Sequence, residues 1–387
     1  MNRHYAPASV QQAHDWVDQW PVASGSVELA LHQAAGYLLT QSIKAATDIP
    51  LQAQCARDGY AVIAADTLGA GDYNPLVLRL TAADKTLGRG QAIQVSAGDP
   101  LPEGADAILS LSQAEPRHVM LDVSCSLAAG EGVLGQGEEC QQSDILLAAG
   151  RRLRPQDLAR LAFAGVKSVK VRRKPRVVLI LAGHFIHDAD GTMLSPLIAR
   201  DGGELIGIQS ATSRQTLDRQ LTELDADVIL VAGGSGYGHN DFAVQALHDC
   251  GEIGLDGVTI HPGGGVVMGR VTDKPVLLLP GSPLSCLCAY DLIAARLLRR
   301  MAAKSDPLPY CMQTFTLSRK LVSRIGQLEL ARMRIDGQFA EPLAVADDRL
   351  LSSSVRADGF TLLAENSEGH AEGSEVEVYL YDEYNQS

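Results

Sequence analysis

The sequence contains no apolar run that approaches the ~20 residues needed to cross a membrane. Its N-terminal stretch, MNRHYAPASVQQAHDW, also lacks the apolar core of a signal peptide. The seven cysteines are an odd number and form no CxxC pair, so the pattern favours reduced thiols over a metal site or a disulfide framework. We therefore expect a cytoplasmic protein that does not associate with membranes.

The sequence also has little positive charge. Its 33 lysines and arginines are outnumbered by 46 aspartates and glutamates, which gives a formal net charge of −13. Such a chain repels phosphate backbones overall, and we therefore expect no nucleic-acid partner. At 387 residues the chain exceeds the roughly 250–300 residues that one hydrophobic core usually serves, so we expect several domains.

The stretch VILVAGGSGYGHNDF, from Val228 to Phe242, joins an apolar run of strand type to a glycine-rich turn. From Asp241 onward the apolar spacing is that of a helix. Backbone N–H groups exposed in such a turn, together with the helix dipole, favour an anionic ligand. The turn therefore predicts a phosphate site on the backbone of Gly233, Gly234, Ser235 and Gly236.

The same order of strand, turn and helix recurs between Val276 and Arg300. Here the turn is Pro280-Gly281-Ser282-Pro283. Parallel strands place such turns at one edge of a sheet, where open α/β folds bind their ligands. We therefore predict a crevice that is lined by both turns.

Helical patterns occur in two other parts of the chain. Residues 8–44 carry two of them, the first marked by Val10 and Val17, and the second running from Val27 to Leu39 with Ser26 as its N-cap. A further helix is predicted from Arg154-Pro155 to the glycine at 165.

Strand patterns fill the remaining segments. Residues 51–137 show short alternating runs broken by Gly, Pro and Asp, which predict a small β-rich domain. Residues 176–303 alternate between strand and helix patterns, as in an α/β domain. After Pro309 the alternating runs return and predict a small barrel or sandwich.

Seven motifs stand in one order along the chain. They are DGYAV at 58–62, PLPEGADAI at 100–108, GEEC with DILLAAGRRL at 137–153, the glycine turn with DF at 233–242, HPGGGVVMGR at 261–270, LPGSPLS at 279–285 and LSSSVRADGF at 351–360. In order and spacing they resemble the molybdopterin molybdenumtransferase family, which includes MoeA-like proteins and the gephyrin E domain. The resemblance covers residues 10–380.

The resemblance implies a multi-domain α/β protein. A three-layer α/β core, residues 174–304, would bind molybdopterin. An elongated helical linker domain would consist of residues 1–46 and 138–173, with a β-rich insertion domain at 47–137. A small β-barrel would form the C-terminal domain, residues 305–387.

The resemblance also implies an activity in molybdenum cofactor biosynthesis. The family hydrolyses adenylylated molybdopterin, releases AMP and places molybdate on the freed dithiolene, with Mg²⁺ as cofactor. It implies a homodimer, because the insertion domain of one subunit completes the site of the other. A molybdopterin adenylyltransferase or a molybdoenzyme would be a further partner.

Site residues carry over from the family motifs position by position. Asp58 and Asp241 match acidic positions, with catalytic and metal-binding roles. The two turns would bind the substrate through Gly233, Gly234, Ser235, Gly236, Pro280, Gly281, Ser282, Pro283 and Ser285. In the C-terminal domain, Arg332 and Ser353 match residues that hold the anion.

The chain departs from the family pattern at several of these positions. Phe185 stands where the family has a catalytic glutamate, and Ala97 where it has a threonine. His261 and Gly264 replace two lysines that face molybdate. Three alternatives follow: an active enzyme in which His184 or His261 takes over a lost polar role, a binding or scaffold protein that serves a molybdoenzyme, or a structural dimer without ligand.

Overall fold

The structure, a computed structural model, describes residues 7–82, 86–183, 188–234, 242–304, 308–343 and 351–382. The chain falls into two units. The insertion unit is Ser26–Arg172, and the core unit combines Met1–Gly25 with Arg173–Ser387. No helix among the described residues is long and apolar enough to cross a membrane.

The core unit begins with helix α1 (Val10–Asp18), where a helix was predicted. Ser9 accepts a hydrogen bond from the Gln12 backbone and Gln12 bonds back to Ser9, which closes a capping box. This exchange satisfies two backbone N–H groups that a helix start otherwise leaves unpaired.

The insertion unit is built mainly from short strands. They are β1 (Ser26–Ala30), β2 (Ile43–Lys44), β3 (Gln54–Cys55), β4 (Gly59–Val62), β5 (Leu76–Thr81), β6 (Gln91–Val95), β7 (Ala107–Ser110), β8 (Ala114–Arg117), β9 (Met120–Val123), β10 (Val133–Leu134), β11 (Ile145–Leu147) and β12 (Ser168–Arg172). Short 3₁₀ turns cover Leu31–Gln33, Ala64–Thr67 and Leu111–Gln113.

The sheet predicted for residues 51–137 is confirmed. Six of the described strands pair in the order β7-β4-β6-β5-β9-β8. Strand β4, which carries the DGYAV motif, lies between β6 and β7 and is antiparallel to both. Two sequence motifs that are about 40 residues apart are therefore neighbours in one sheet.

The helix predicted from Val27 to Leu39 is wrong. Ser26 begins strand β1, which pairs antiparallel with β12 from Ser26 opposite Arg172 to Ala30 opposite Ser168. Val27, Leu29 and Leu31 satisfy the strand period as well as the helix period, and the partner strand, far along the chain, decides between them.

The helix predicted after Arg154 is confirmed as α2 (Pro155–Phe163). Pro155 stands in the first turn, where its missing N–H is tolerated. The Asp157 carboxylate accepts the Arg154 backbone N–H at 2.9 Å and closes the helix start. Gly165, with φ +78°, follows the end of the helix.

The core unit continues with alternating strands and helices. They are β13 (Arg176–Ala182), α3 (Ala189–Arg200), β14 (Glu204–Ala211), α4 (Arg214–Glu223), β15 (Val228–Ala232), α5 (Ala243–Cys250), β16 (Glu252–Asp256), β17 (Ile260–His261), β18 (Val267–Val271), β19 (Lys274–Leu279), α6 (Pro283–Ala289), a π-helical turn (Tyr290–Ala294) and α7 (Ala295–Met301).

The predicted three-layer α/β core is confirmed. Described strands pair in the order β14-β13-β15-β19-β18-β16, and the first four are parallel. Alternate residues of β13 face opposite layers: Val177, Leu179 and Leu181 pack with α1, α3, α6 and α7, whereas Val178 and Ile180 pack with α4 and α5. A parallel sheet covered on both faces follows from these uniformly apolar strands.

The C-terminal barrel is also confirmed. Its elements are β20 (Cys311–Leu317), β21 (Leu321–Val322), β22 (Leu328–Asp336), β23 (Phe339–Pro342), α8 (Ser352–Val355), β24 (Gly359–Leu363), β25 (Gly369–His370) and β26 (Glu375–Leu380). Strands β22, β23, β20, β26 and β24 pair in sequence, and β24 pairs back to β22, which closes the ring. Strand β17 joins this sheet beside β22.

Candidate functional site

Three parallel strands of the core unit end side by side. Leu181 of β13 pairs with Ala232 of β15, and Ala232 pairs in turn with Leu279 of β19. The N–H of Gly233, the next residue after β15, donates to the Leu279 carbonyl at 3.1 Å. Both glycine-containing turns therefore leave the sheet at one edge, where a crevice was predicted.

The two turns are in contact at this edge. A β-carbon on Gly281 would stand 3.2 Å from the Cα atom of Gly233. A β-carbon on Gly234 would stand 3.2 Å from that of Ala243 and 3.3 Å from that of Ala182. Glycine is needed here because the backbones approach closely, and Gly234 also has φ +68°, which favours glycine. A bound phosphate would therefore meet main-chain atoms.

The second turn passes directly into α6. Pro283 holds the first helical position, where its missing N–H is tolerated, and the Cys286 N–H donates to the Ser282 carbonyl at 2.8 Å. Gly281 is exposed, while the other predicted residues of the turn are half-buried: Pro280, Ser282, Pro283 and Ser285. The turn thus presents an accessible backbone at the crevice.

Several predicted site residues lie outside the described residues. The first turn is described up to Gly234, and the chain is described again from Phe242. The residues that fall in the gaps are Ser235, Gly236, Asp241, His184 and Phe185. Their roles remain predictions from the sequence.

The loop that follows His261 forms a further wall of the site. A β-carbon on Gly263 would stand 2.9 Å from the Ala289 nitrogen and 3.0 Å from the Ser285 carbonyl, so the loop packs against α6. The Gly264 carbonyl accepts the Val258 N–H at 3.0 Å. The position that carries a lysine in the resembled family thus adds only backbone here.

Arg332 is a buried cation without a counterion in the described structure. It lies on β22 opposite Phe360 of β24, and only 3% of its surface is exposed. Its Nε and Nη1 atoms have no hydrogen-bond partner among the described residues. A buried guanidinium with free donors is costly, which points to an anion that completes the site.

Tyr381 packs against the hydrophobic cluster that contains α6. Its ring packs on Phe360 with centroids 5.7 Å apart. Burial, followed by the nearby Cys288 and Asp291, raises the pKa of Tyr381, and the positive charge of Arg332 opposes the rise. Tyr381 is therefore close both to Arg332 and to the segment that continues α6. The predicted partner residue Ser353, on α8, is also buried.

Asp58 lies in the insertion unit, at the turn before β4. It is exposed, and its Oδ1 atom accepts the Ala97 N–H at 2.8 Å. In the same loop the Asp99 carboxylate accepts the Ser96 N–H at 2.8 Å. Asp58 thus fixes the loop before the PLPEGADAI motif and brings two predicted motifs together. Asp58 belongs to the insertion unit, whereas the predicted residues of the two turns and of the barrel belong to the core unit.

A complete protein cage for a metal ion is not found in the described part of the chain. No group of three or more His, Cys, Asp or Glu side chains there is placed to hold an ion. Mg²⁺ in phosphate chemistry is often held by only one or two carboxylates together with substrate phosphates and water. The exposed carboxylate of Asp58 fits this donor set.

A buried charge network was missed at the sequence level. Asp201, which is fully buried, accepts hydrogen bonds from Arg299 at 2.9 Å, from Arg200 at 2.7 Å and from Tyr290 at 3.2 Å. Arg200 also donates to Asp291, in the π-helical turn, at 2.7 Å. The signal was an aspartate within the apolar run SCLCAYDLIAARLL, which needs a buried partner.

Asp190 is a second residue without a predicted role. It lies in the first turn of α3 and is 4% exposed, and its Oδ1 atom has no hydrogen-bond partner among the described residues. Burial, followed by the charge of Asp188, raises the pKa of Asp190 to about 6. In the sequence HDADG, either aspartate could be the N-cap of a helix. Only the fold shows that Asp188 is the cap and that Asp190 is not.

Family models match three consecutive parts of the chain. Residues 8–165 match the model described as "MoeA N-terminal region (domain I and II)", and residues 179–300 match "Probable molybdopterin binding domain". Residues 314–381 match "MoeA C-terminal region (domain IV)". The three models leave only short segments of the chain unmatched.

Known proteins resemble the chain over nearly its whole length. A molybdopterin biosynthesis protein of Methanocaldococcus jannaschii is 27% identical, with 91% of this chain and 92% of that protein covered. The molybdopterin molybdenumtransferase of Bacillus subtilis is 25% identical, with coverage of 93% and 90%. A crystal structure of the molybdopterin biosynthesis MoeA protein from Pyrococcus horikoshii is 27% identical with a TM-score of 0.77, and coverage is 98% and 100%.

Proposed function

Because this chain belongs to the MoeA family of molybdenum cofactor biosynthesis, we propose that it acts as a molybdopterin molybdenumtransferase. Its substrate is adenylylated molybdopterin, from which it releases AMP, and it places molybdate on the freed dithiolene. The observation that carries the proposal is the contact between Gly281 and Gly233, which joins two phosphate-type turns at one sheet edge.

In this proposal the two turns bind the phosphates through main-chain N–H groups. Gly233, Gly234 and Gly281 have no side chains that would block the approach of a phosphate to the backbone. The first turn of α6 adds further N–H groups that have no partner within the helix. Such contacts do not depend on side-chain identity. The cradle therefore tolerates the replacement of a family lysine by Gly264.

Arg332 and Ser353 are proposed to hold molybdate. The unpaired Nε and Nη1 atoms of Arg332 are buried N–H donors of a charged group, and each is available to an oxyanion. Charge-assisted hydrogen bonds of this kind stabilise a bound anion by about 1.5–3 kcal/mol each. One such residue partly compensates for the lysines that His261 and Gly264 replace.

Mg²⁺, when bound, would neutralise phosphate charge as the phosphoanhydride opens. Asp58 and Asp241 are the carboxylates proposed to hold it, and His184 is proposed as a polar group of the same site. Since Asp58 lies in the insertion unit, we also propose that a second copy of the chain completes the site, as a homodimer. A molybdopterin adenylyltransferase or a molybdoenzyme is the proposed further partner.

AMP release tests the proposal. Purified protein is incubated with adenylylated molybdopterin, Mg²⁺ and molybdate, and AMP is measured over time. We expect turnover that requires Mg²⁺. Tight pterin binding without AMP would instead support the alternative of a binding or scaffold protein, and the absence of both would leave only a structural role.

A further inference from the structure

Asp190 lies at the same sheet edge as the two phosphate-type turns. Strand β13 ends at Ala182, and α3 begins at Ala189, so Asp190 stands in the first helical turn beyond the carboxyl end of that strand. Helix α3 packs on the face of the sheet that α6 also covers. The carboxyl group is therefore placed beside the elements that form the crevice.

The Oδ1 atom of Asp190 is not paired with any other residue in the described part of the chain. Asp188 is the residue that caps the helix, since its Oδ1 atom accepts the Gly191 N–H at 2.7 Å. Asp190 is as deeply buried as a core residue, yet its Oδ1 atom has no hydrogen-bond partner among the described residues. A buried polar atom left unpaired needs an explanation, and a substrate or water that occupies the site provides one.

Helices α3 and α6 pack together in one hydrophobic cluster. The charge of Asp190 acts on the Cys286 thiol, whose pKa burial and then Asp190 raise. Cys286 lies in the first turn of α6, and its N–H bonds to Ser282 within the turn. Asp190 is therefore close to the start of the helix whose N-terminal amides would hold a phosphate.

The surroundings of Asp190 suit a proton acceptor at neutral pH. Among the described residues, the titratable groups that interact with it are the Asp188 carboxylate at the start of its own helix and the Cys286 thiol on α6, and only the carboxylate is charged at neutral pH. Burial and Asp188 raise the pKa of Asp190 to about 6. General bases act best when their pKa lies near the working pH. Phe185 stands where the resembled family has a catalytic glutamate, so turnover requires another carboxylate to accept the proton.

We propose that Asp190 is a catalytic residue, an inference that rests on the proposed function. Asp190 accepts a proton from the water molecule that attacks the adenylyl phosphoanhydride. A new P–O bond forms from the water oxygen to one phosphorus, and the bond from that phosphorus to the bridging oxygen breaks. The water proton goes to Asp190 Oδ1. The bridging oxygen keeps the bonding pair and leaves on the other phosphate, giving AMP and molybdopterin with its own phosphate, without any redox change.

The test is AMP release as a function of pH by wild-type protein, Asp190→Asn, Asp190→Glu and the control Asp188→Asn. We expect Asp190→Asn to lower kcat by on the order of 10²-fold or more, with little change in KM, and to abolish the acidic limb near the pKa of Asp190. Asp190→Glu restores part of kcat. Asp188→Asn keeps the cap and kcat but moves the acidic limb to lower pH, because a negative charge is removed.

The outcomes separate this inference from the function on which it rests. If wild-type protein releases AMP and Asp190→Asn does so with the same kcat and acidic limb, the role of Asp190 is overturned and the function stands. If wild-type protein releases none, both fall. Thermal unfolding and substrate binding of Asp190→Asn show that a lost kcat does not come from a lost fold, and a variant that neither folds nor binds contradicts the inference.

Discussion

Gly281 lies so close to Gly233 that a β-carbon on Gly281 would stand 3.2 Å from the Gly233 Cα atom. The two residues follow neighbouring parallel strands, β19 and β15, at the same sheet edge. This approach brings the backbones of the two turns together at that edge. The proposed substrate site depends on it.

Gly281→Ala tests the contact between the turns. A methyl group at 3.2 Å must push the turns apart by a few tenths of an ångström, which weakens phosphate binding by roughly 10-fold while the fold stays intact. Gly265→Ala is the matched control, since its β-carbon would meet the Pro280 side chain at an ordinary 3.8 Å. Titration of both variants with adenylylated molybdopterin measures the difference. Equal affinities would contradict the cradle.

Arg332→Met tests the anion site in the barrel. Because the guanidinium is buried with free donors, an apolar side chain of similar length should leave the free energy of unfolding unchanged or raise it. Molybdate affinity should fall by roughly 10-fold or more. Arg334→Met, an exposed arginine two residues further along the same strand, is the control. A variant of Arg332 that unfolds but still binds molybdate would show a structural role instead.

Asp58→Asn tests the carboxylate of the insertion unit. The amide oxygen can still accept the Ala97 N–H, so the melting temperature should hardly change. The Mg²⁺ concentration for half-maximal AMP release should rise severalfold, because one negative ligand is lost. Asp99→Asn, which bonds Ser96 in the same loop, should leave the Mg²⁺ requirement as it is. An unchanged Mg²⁺ curve for Asp58→Asn would remove it from the metal site.

Asp201→Asn tests the buried charge network. Removing this charge leaves the buried Arg299 without its carboxylate partner, and the free energy of unfolding should fall by about 3–5 kcal/mol. Asp18→Asn weakens a pair between the exposed Asp18 carboxylate and Arg296, and should change the free energy of unfolding by less than about 1 kcal/mol. Urea unfolding measures both. A small effect at Asp201 would mean that the network is not a stabilising element.

Asp190→Asn should also change how stability depends on pH. The folded-state pKa of Asp190, about 6, lies above the ordinary value of 3.8, so the native state binds more protons between these values. Wild-type protein therefore loses stability relative to Asp190→Asn as pH rises from 3.8 to about 6, by at most about 3 kcal/mol, and the difference stays constant at higher pH. Urea unfolding across this range checks the sign, and a difference that grows in the opposite direction would contradict it.

The sequence predicted the sheet edge and its turns because local signals agree there. The run from Val228 is apolar at every position and ends in glycines, and both facts hold in the fold. The segment after Ser26 shows the limit of this reasoning. Its alternating Val27 and Leu29 suit either period, and only β12, more than 130 residues later, makes it a strand.

The buried charged residues could not be predicted from local sequence patterns. Asp190 and Asp188 are both ordinary cap residues in sequence, and the packing of α6 against α3 leaves one of them unpaired. Asp201 and Arg299 are far apart in the chain, and their pairing depends on where α7 packs. Such residues become visible only when partners from distant segments are known.

Molybdenum transfer per AMP released is the measurement that tests the central claim most directly. Protein is incubated with adenylylated molybdopterin, Mg²⁺ and molybdate, the pterin product is separated from free molybdate, and its molybdenum content is compared with the AMP formed. We expect close to one molybdenum for each AMP. AMP release without molybdenum on the pterin, or no AMP at all, would contradict the proposed function.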